Sequence, residues 1–166
     1  MNDLERLIAI EEIKQLKARY FRHMDMQDWD ALYTLFTPDA VYDATDAIRN
    51  GSGEDSLDQK LGEEWINHGR DKIVPFIQNA LAGMVSVHHG HMPEITIHSA
   101  TKASGIWPMT DKVQKHIDGQ LVLSLEGEGH YWEEYERIDG TWMISFSRLT
   151  RIRVQYWQDE QVAAQG

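Results

Sequence analysis

From Asp3 to about Met26 the apolar residues Leu4, Leu7, Ile8, Ile13, Leu16, Tyr20 and Met24 recur mostly at three- and four-residue steps, with charged residues between them. That spacing predicts an amphipathic helix, and Asn2 and Glu5 stand at capping-box spacing at its start. A second, shorter helix is expected from Trp29 to about Phe36. Asp28 supplies the short acceptor side chain of an N-cap, and Pro38 pushes the residue before it out of helical geometry. A strand from Ala40 to Ala44 follows. Residues 45 to 62 contain Asn50-Gly51-Ser52-Gly53 and no sustained period, so they predict a loop with a helical turn near Leu57. A lid and an ordinary surface insertion are both open readings of it. The stretch from Arg70 to Leu81 reads as a third helix, with Pro75 in or near its first turn and Gly83 as its stop.

Beyond Gly83 the period changes to two. Val87 to His98, Ala103 to Val113, Gln120 to Ile138 and Thr141 to Val154 are long segments rich in β-branched and aromatic residues. Asp139-Gly140 between two of them is a hairpin signal, because a tight primed turn needs positive φ at both central residues. Strict alternation in the last segment assigns Trp142, Ile144 and Phe146 to one face and Ser145 and Ser147 to the other. Helices followed by a meander of four antiparallel strands predict an α+β domain in which the helices pack into a curved sheet.

Composition narrows the class. With 166 residues, 42% of them hydrophobic, the chain suits one globular domain over residues 1–166, its core running from about 8 to 154. No apolar run approaches the roughly 18 residues of a membrane span, and the chain opens on Asn2-Asp3-Leu4-Glu5-Arg6 where a signal peptide needs an apolar core. A soluble, cytoplasmic protein is therefore expected. The formal charge of −11, with 16 Lys and Arg not gathered into one block, argues against nucleic acid as a partner. The absence of cysteine rules out disulfides and thiol chemistry.

Candidate chemistry centres on Asp25. Asp28 has a capping role, whereas Asp25 lies among Phe21, Met24, Leu32 and Leu35 with no structural duty, and a carboxylate drawn toward an apolar interior needs a compensating partner. The candidate is the run His88-His89-Gly90-His91. In a strand His88 faces one way, with Ser86, and His89 and His91 face the other unless Gly90 marks a bulge. An inward His88 would meet Asp25 and form a carboxylate–imidazole dyad, a general base whose tautomer the carboxylate fixes. Inward His89 and His91 would instead join Glu94 in a group suited to a divalent metal. Histidines that are merely solvated or hydrogen-bonded near a sheet rim are the plain alternative. Among the aromatic residues, Tyr20, Tyr42, Trp107 and Tyr131 are candidates to line a pocket that grips a flat ring. The basic run Arg148 to Arg153 suits a salt-bridged edge or an oligomer contact as well as a substrate anion.

The order of elements, with Asp25 ahead of a helix cap and His88 opening a sheet, resembles the SnoaL-like branch of the nuclear transport factor 2-like superfamily. The resemblance rests on Asp28-Trp29-Asp30-Ala31-Leu32, Phe36-Thr37-Pro38-Asp39-Ala40, His88-His89-Gly90-His91-Met92-Pro93-Glu94-Ile95 and Tyr135-Glu136-Arg137-Ile138-Asp139-Gly140-Thr141-Trp142, and it spans about Ile8 to Arg153. It implies a cystatin-like conical barrel, a fold that carries many chemistries and some proteins with none. Within that superfamily the chain resembles scytalone dehydratase and hexachlorocyclohexane dehydrochlorinase, cofactor-free eliminating enzymes whose aspartate–histidine dyad matches Asp25 and His88. Where the dehydratase has two water-holding tyrosines, a second histidine and an asparagine, this chain carries Met24, Ala44, Trp107 and Tyr131. The resemblance therefore implies proton abstraction from a substrate other than scytalone.

The function expected is a lyase or isomerase without cofactor or metal, acting on a small hydrophobic cyclic molecule. His88 is the base, Asp25 its orienter, and Tyr131 or Tyr42 the donor to a developing oxyanion. A polyketide-cyclase-like ring closure and a non-catalytic ligand-binding or scaffold domain are the alternatives. The resemblance also implies a homo-oligomer, dimer or trimer, formed through the open face of the sheet.

Overall fold

The amphipathic stripe at the amino terminus forms the long helix α1, Asp3–Asp25, closed at its start by the expected capping box between Asn2 and Glu5. Ile13, Leu16, Tyr20 and Met24 are buried, whereas Leu4, Leu7 and Ile8 stay exposed, so only the later turns pack into the core. Each such buried side chain is worth roughly 1.5–3 kcal/mol relative to an exposed one. The helix ends in a Schellman arrangement: the Asp28 N–H reaches His23 O at 2.8 Å and the Gln27 N–H reaches Met24 O at 3.1 Å. Gln27 takes the left-handed φ of 56° that glycine usually fills. Asp28 then caps the one-turn helix α2, Trp29–Tyr33, by accepting from the Ala31 N–H at 3.2 Å. The computed structural model describes residues 1–47 and 61–159. The expected turn near Leu57 lies outside the described residues.

Among the described residues seven strands make one curled, unclosed sheet: β1 Phe36–Asp43, β2 Ile66–His68, β3 Val85–Gly90, β4 Glu94–Ile97, β5 Lys102–Ile117, β6 Gln120–Ile138 and β7 Thr141–Gln158. Their order is β2-β1-β7-β6-β5-β3, with β4 also on the outer edge of β5. The sheet is mixed, not wholly antiparallel, because β1 runs parallel to β7. The segment expected as one strand from Val87 to His98 divides at Pro93, which has no N–H for the ladder, and its halves pair with different parts of β5. Asp139 and Gly140 take φ of 49° and 81°, the primed turn expected between β6 and β7. Helix α3, Arg70–Ala80, holds Pro75 as its sixth residue, beyond the first turn, so the Asp71 carbonyl loses a helical partner.

The alternation expected in β7 holds only for its first residues. A register shift between Ile144 and Phe146, where Tyr135 and Glu134 of β6 face them, reverses the phase of the strand. Beyond it Ser147, Leu149 and Arg151 turn inward and are buried, while Phe146 is only partly so.

Candidate active site

Asp25 is the last residue of α1, and the open end of the sheet brings β3 beside it. Its carboxylate is fully engaged. Oδ1 accepts from the Ser86 hydroxyl at 2.9 Å and lies 2.6 Å from His88 Nδ1, while Oδ2 accepts from the His88 backbone N–H at 2.8 Å. Strand pleating produces this cluster, since Ser86 and His88 share the inner face of β3 and the pairing of β3 with β5 continues through Gly90 without a bulge. Gly90 serves a different purpose. A Cβ there would lie 2.5 Å from the Phe21 ring, which stacks at 12° to the imidazole of His88.

His89 and His91 consequently face away from Asp25. His89 is exposed, and His91 lies 3.4 Å from the Thr110 hydroxyl. Among the described residues no three His, Asp or Glu side chains converge to hold a metal, and the arrangement of His89, His91 and Glu94 considered from the sequence does not form.

The far nitrogen of His88 looks into a cavity of about 330 Å³. Its wall is mostly apolar, with Trp65, Phe76 and Leu81 on one side and Leu123, Leu125 and Leu149 on the other. The polar groups gather at the His88 end: Tyr42, Tyr131, Asp111 and Arg151. His88 Nε2 lies 3.8 Å from Asp111 Oδ2. Asp111 and Arg151 form a two-armed ion pair at 2.9 and 2.7 Å, with side chains only 3% and 5% exposed. Gly127, between them on β6, makes the pair possible, because a Cβ there would sit 2.3 Å from an Arg151 nitrogen and 2.4 Å from an Asp111 oxygen.

Of the four aromatic residues expected to line the pocket, Tyr42 and Tyr131 do so. Tyr20 and Trp107 do not. α1 fills that end of the concave sheet, Tyr20 is fully buried, and the Trp107 indole donates to the Tyr135 hydroxyl at 2.7 Å. The Tyr20 hydroxyl lies beside those of Tyr131 and Tyr42 without reaching good hydrogen-bond geometry. Burial, reinforced for Tyr131 by Tyr42 and Asp111, raises its phenol well above the usual range. Burial likewise pushes Tyr42 up to about 12, although Arg151 opposes it. Both hydroxyls thus remain proton donors at neutral pH.

Behind Tyr131 lies a second ion pair. Lys17 Nζ donates to Glu133 at 2.6 Å, both side chains are wholly buried, and the ammonium sits 3.7 Å above the centre of the Tyr131 ring. Glu133 also accepts from the Ser147 hydroxyl at 3.0 Å and the Tyr135 hydroxyl at 2.5 Å. Desolvation brings Lys17 down to about 8, against the opposing pull of Glu133. Sequence reasoning missed Lys17, Asp111 and Glu133, and it noted Arg151 only as part of the basic run Arg148 to Arg153, without a place on the cavity wall. Lys17, Asp111 and Glu133 carried a usable signal, a charge in phase with buried apolar or aromatic positions on the same helix or strand.

The SnoaL-like domain family matches residues 5–148. The probable cyclase FGR4 of Gibberella zeae is 24% identical over 148 residues, covering 88% of this chain and 91% of that protein. Among solved structures, a hexachlorocyclohexane dehydrochlorinase (LinA) of type 2 superposes with a TM-score of 0.71 at 20% identity, over 94% of this chain and 93% of that one. A protein of Novosphingobium aromaticivorans, provisionally named a scytalone dehydratase, gives 0.71 at 16% identity over 94% and 92%. These likenesses agree with the helices-in-curled-sheet architecture, and the extent of the family match is decisive: the chain belongs to the SnoaL-like domain family.

Proposed function

We propose that the protein is a cofactor-independent lyase or isomerase that removes a proton from a small hydrophobic cyclic substrate. One observation carries this reading: His88 is held through Nδ1 by Asp25, and its Nε2 edge opens on a cavity that is otherwise largely apolar. In the neutral imidazole, an Nδ1–H donated to the carboxylate leaves the Nε2 lone pair free to act as base. Tyr42 or Tyr131 donates to the oxygen of a carbonyl next to the carbon that loses its proton, where negative charge develops. As the C–H bond breaks, its electron pair forms the enolate C=C bond, and the proton passes to Nε2. The imidazolium so formed is flanked by Asp25 and Asp111.

Two exits follow. In isomerisation the imidazolium returns the proton to another carbon. In dehydration a β-hydroxyl leaves with its bonding electrons and takes the proton from Nε2 as water. Ring closure by attack of the enolate carbon on a second carbonyl is a further use of the same base, and the cyclase relative favours keeping it as the alternative.

The test is hydrogen–deuterium exchange in D2O at the carbon beside the carbonyl of 1-indanone and 1-tetralone, followed by NMR. The wild type is expected to accelerate exchange at least about 10²-fold over His88→Gln, the usual scale of a positioned base. Equal rates would contradict proton abstraction and favour a ligand-binding domain.

A further inference from the structure

Arg151 is the one cationic side chain on the cavity wall among the described residues, at the polar end of an otherwise apolar space. Such a guanidinium would ordinarily receive a carboxylate or phosphate. Here it is already occupied. Asp111 takes one N–H from each terminal nitrogen, Met109 Sδ lies 3.4 Å from the first of these, and Nε–H donates to Ala47 O at 3.0 Å. Four of its five N–H groups are thereby used. The pair is built into three adjacent strands, Asp111 on β5 and Arg151 on β7, with Gly127 of β6 leaving the space between them. Asp25 lies behind His88, so this end of the cavity holds two carboxylates, one of them paired with the single guanidinium. An anionic group entering here would meet a net negative field beside a largely apolar wall, where charge repulsion is less screened than in bulk water.

We infer that Asp111 is a specificity-determining residue that closes Arg151 to anions, so that the part of the ligand reaching His88 is uncharged. The inference rests on the cavity being a substrate site, as proposed above, and it adds the charge class of that substrate. It also makes a positive demand on the chain: removing the Asp111 charge should convert the same wall into an anion receptor.

The matched probes are N-phenyl-1-naphthylamine, which is neutral, and 8-anilinonaphthalene-1-sulfonate, the same skeleton bearing a sulfonate. Both are titrated by fluorescence against the full chain. Leu125→Trp, which fills the cavity, reports how much of each signal comes from it. In the wild type the neutral probe is expected to bind in the cavity and the sulfonate to be disfavoured there. Asp111→Asn should shift the affinity ratio toward the sulfonate by about tenfold or more, and Asp111→Asn/Arg151→Met should abolish that gain. If Asp111→Asn does not fold, Asp111→Ser takes its place, its smaller side chain leaving room for water beside the guanidinium. A wild-type cavity that takes both probes equally, or a ratio in the folded Asp111 variant within about threefold of wild type, overturns the inference. Such a result leaves the exchange test of His88 untouched, and a failed exchange test leaves this one readable, since it needs no turnover.

Discussion

Two buried ion pairs lie near Tyr131, Lys17–Glu133 against its ring and Asp111–Arg151 near its hydroxyl, and their settings differ. Lys17 and Glu133 are sealed between α1 and the sheet, fully buried, with the carboxylate satisfied by two further hydroxyls. Asp111 and Arg151 are nearly as buried, yet they form part of the cavity wall. The sealed pair supports the floor on which Tyr131 lies, and the wall pair, buried but bordering the cavity, faces whatever enters. Burial alone therefore does not identify a functional charge. What separates them is the empty space beside one of them and the His88 nitrogen 3.8 Å from Asp111.

The sharpest way to break this contrast is to remove one member of each pair. Lys17→Met leaves Glu133 as a buried, unpaired carboxylate and is expected to cost about 3–5 kcal/mol in urea denaturation. Lys17→Met/Glu133→Leu should recover much of that loss, because the stranded charge is gone. Arg151→Met is expected to cost less, about 2–3 kcal/mol, since water in the cavity can solvate Asp111. Equal losses at the two sites would mean that the cavity is as dry as the floor.

Gly127→Ala attacks the wall pair by displacement instead of charge. Its methyl group would force the ion pair apart, at about 1–3 kcal/mol, and should loosen the cavity's rejection of the sulfonate probe. Gly105→Ala, whose Cβ would lie 3.2 Å from Trp107 and Tyr135, tests the floor in the same manner and should leave probe selectivity unchanged.

The floor pair also predicts a pH signature. Folded Lys17 gives up its proton near pH 8, whereas the unfolded chain keeps it to about 10.5, so the unfolded state binds more protons across that window. Stability should therefore rise between pH 8 and 10 by up to about 2 kcal/mol, and Lys17→Met should flatten the rise. Above pH 10 the sign reverses. Tyr20, Tyr42, Tyr131 and Tyr135 keep protons that the unfolded chain releases, and stability should fall.

Much of the frame was legible because it rests on local rules. The caps at Asn2 and Asp28, the primed turn at Asp139-Gly140 and the face shared by Ser86 and His88 follow from side-chain chemistry and a period of two. Asp118-Gly119 carries the same turn signal, with φ of 53° and 80°, and joins β5 to β6 where no turn had been singled out. The inward turn of Arg151 was hidden for a different reason. Counting by twos from Trp142 sends Arg151 outward, and only the register shift after Ile144 turns it in, a feature set by pairing with β6 and not by β7 itself. Trp107 illustrates the reverse error. Its strand face points inward as expected, but its indole joins the buried chain through Tyr135 and Glu133 to Lys17 of α1 instead of the cavity, and no strand pattern shows where a helix will lie.

The central claim is that Asp25 holds His88 so that Nε2 is the free base on the cavity. The direct measurement is a long-range 1H–15N correlation spectrum of the His88 ring in the neutral form, assigned with His88→Gln and repeated in Asp25→Asn. The account predicts a protonated Nδ1 and a bare Nε2 in the wild type, with that preference lost in Asp25→Asn. A proton resident on Nε2, or a tautomer indifferent to Asp25, would contradict it.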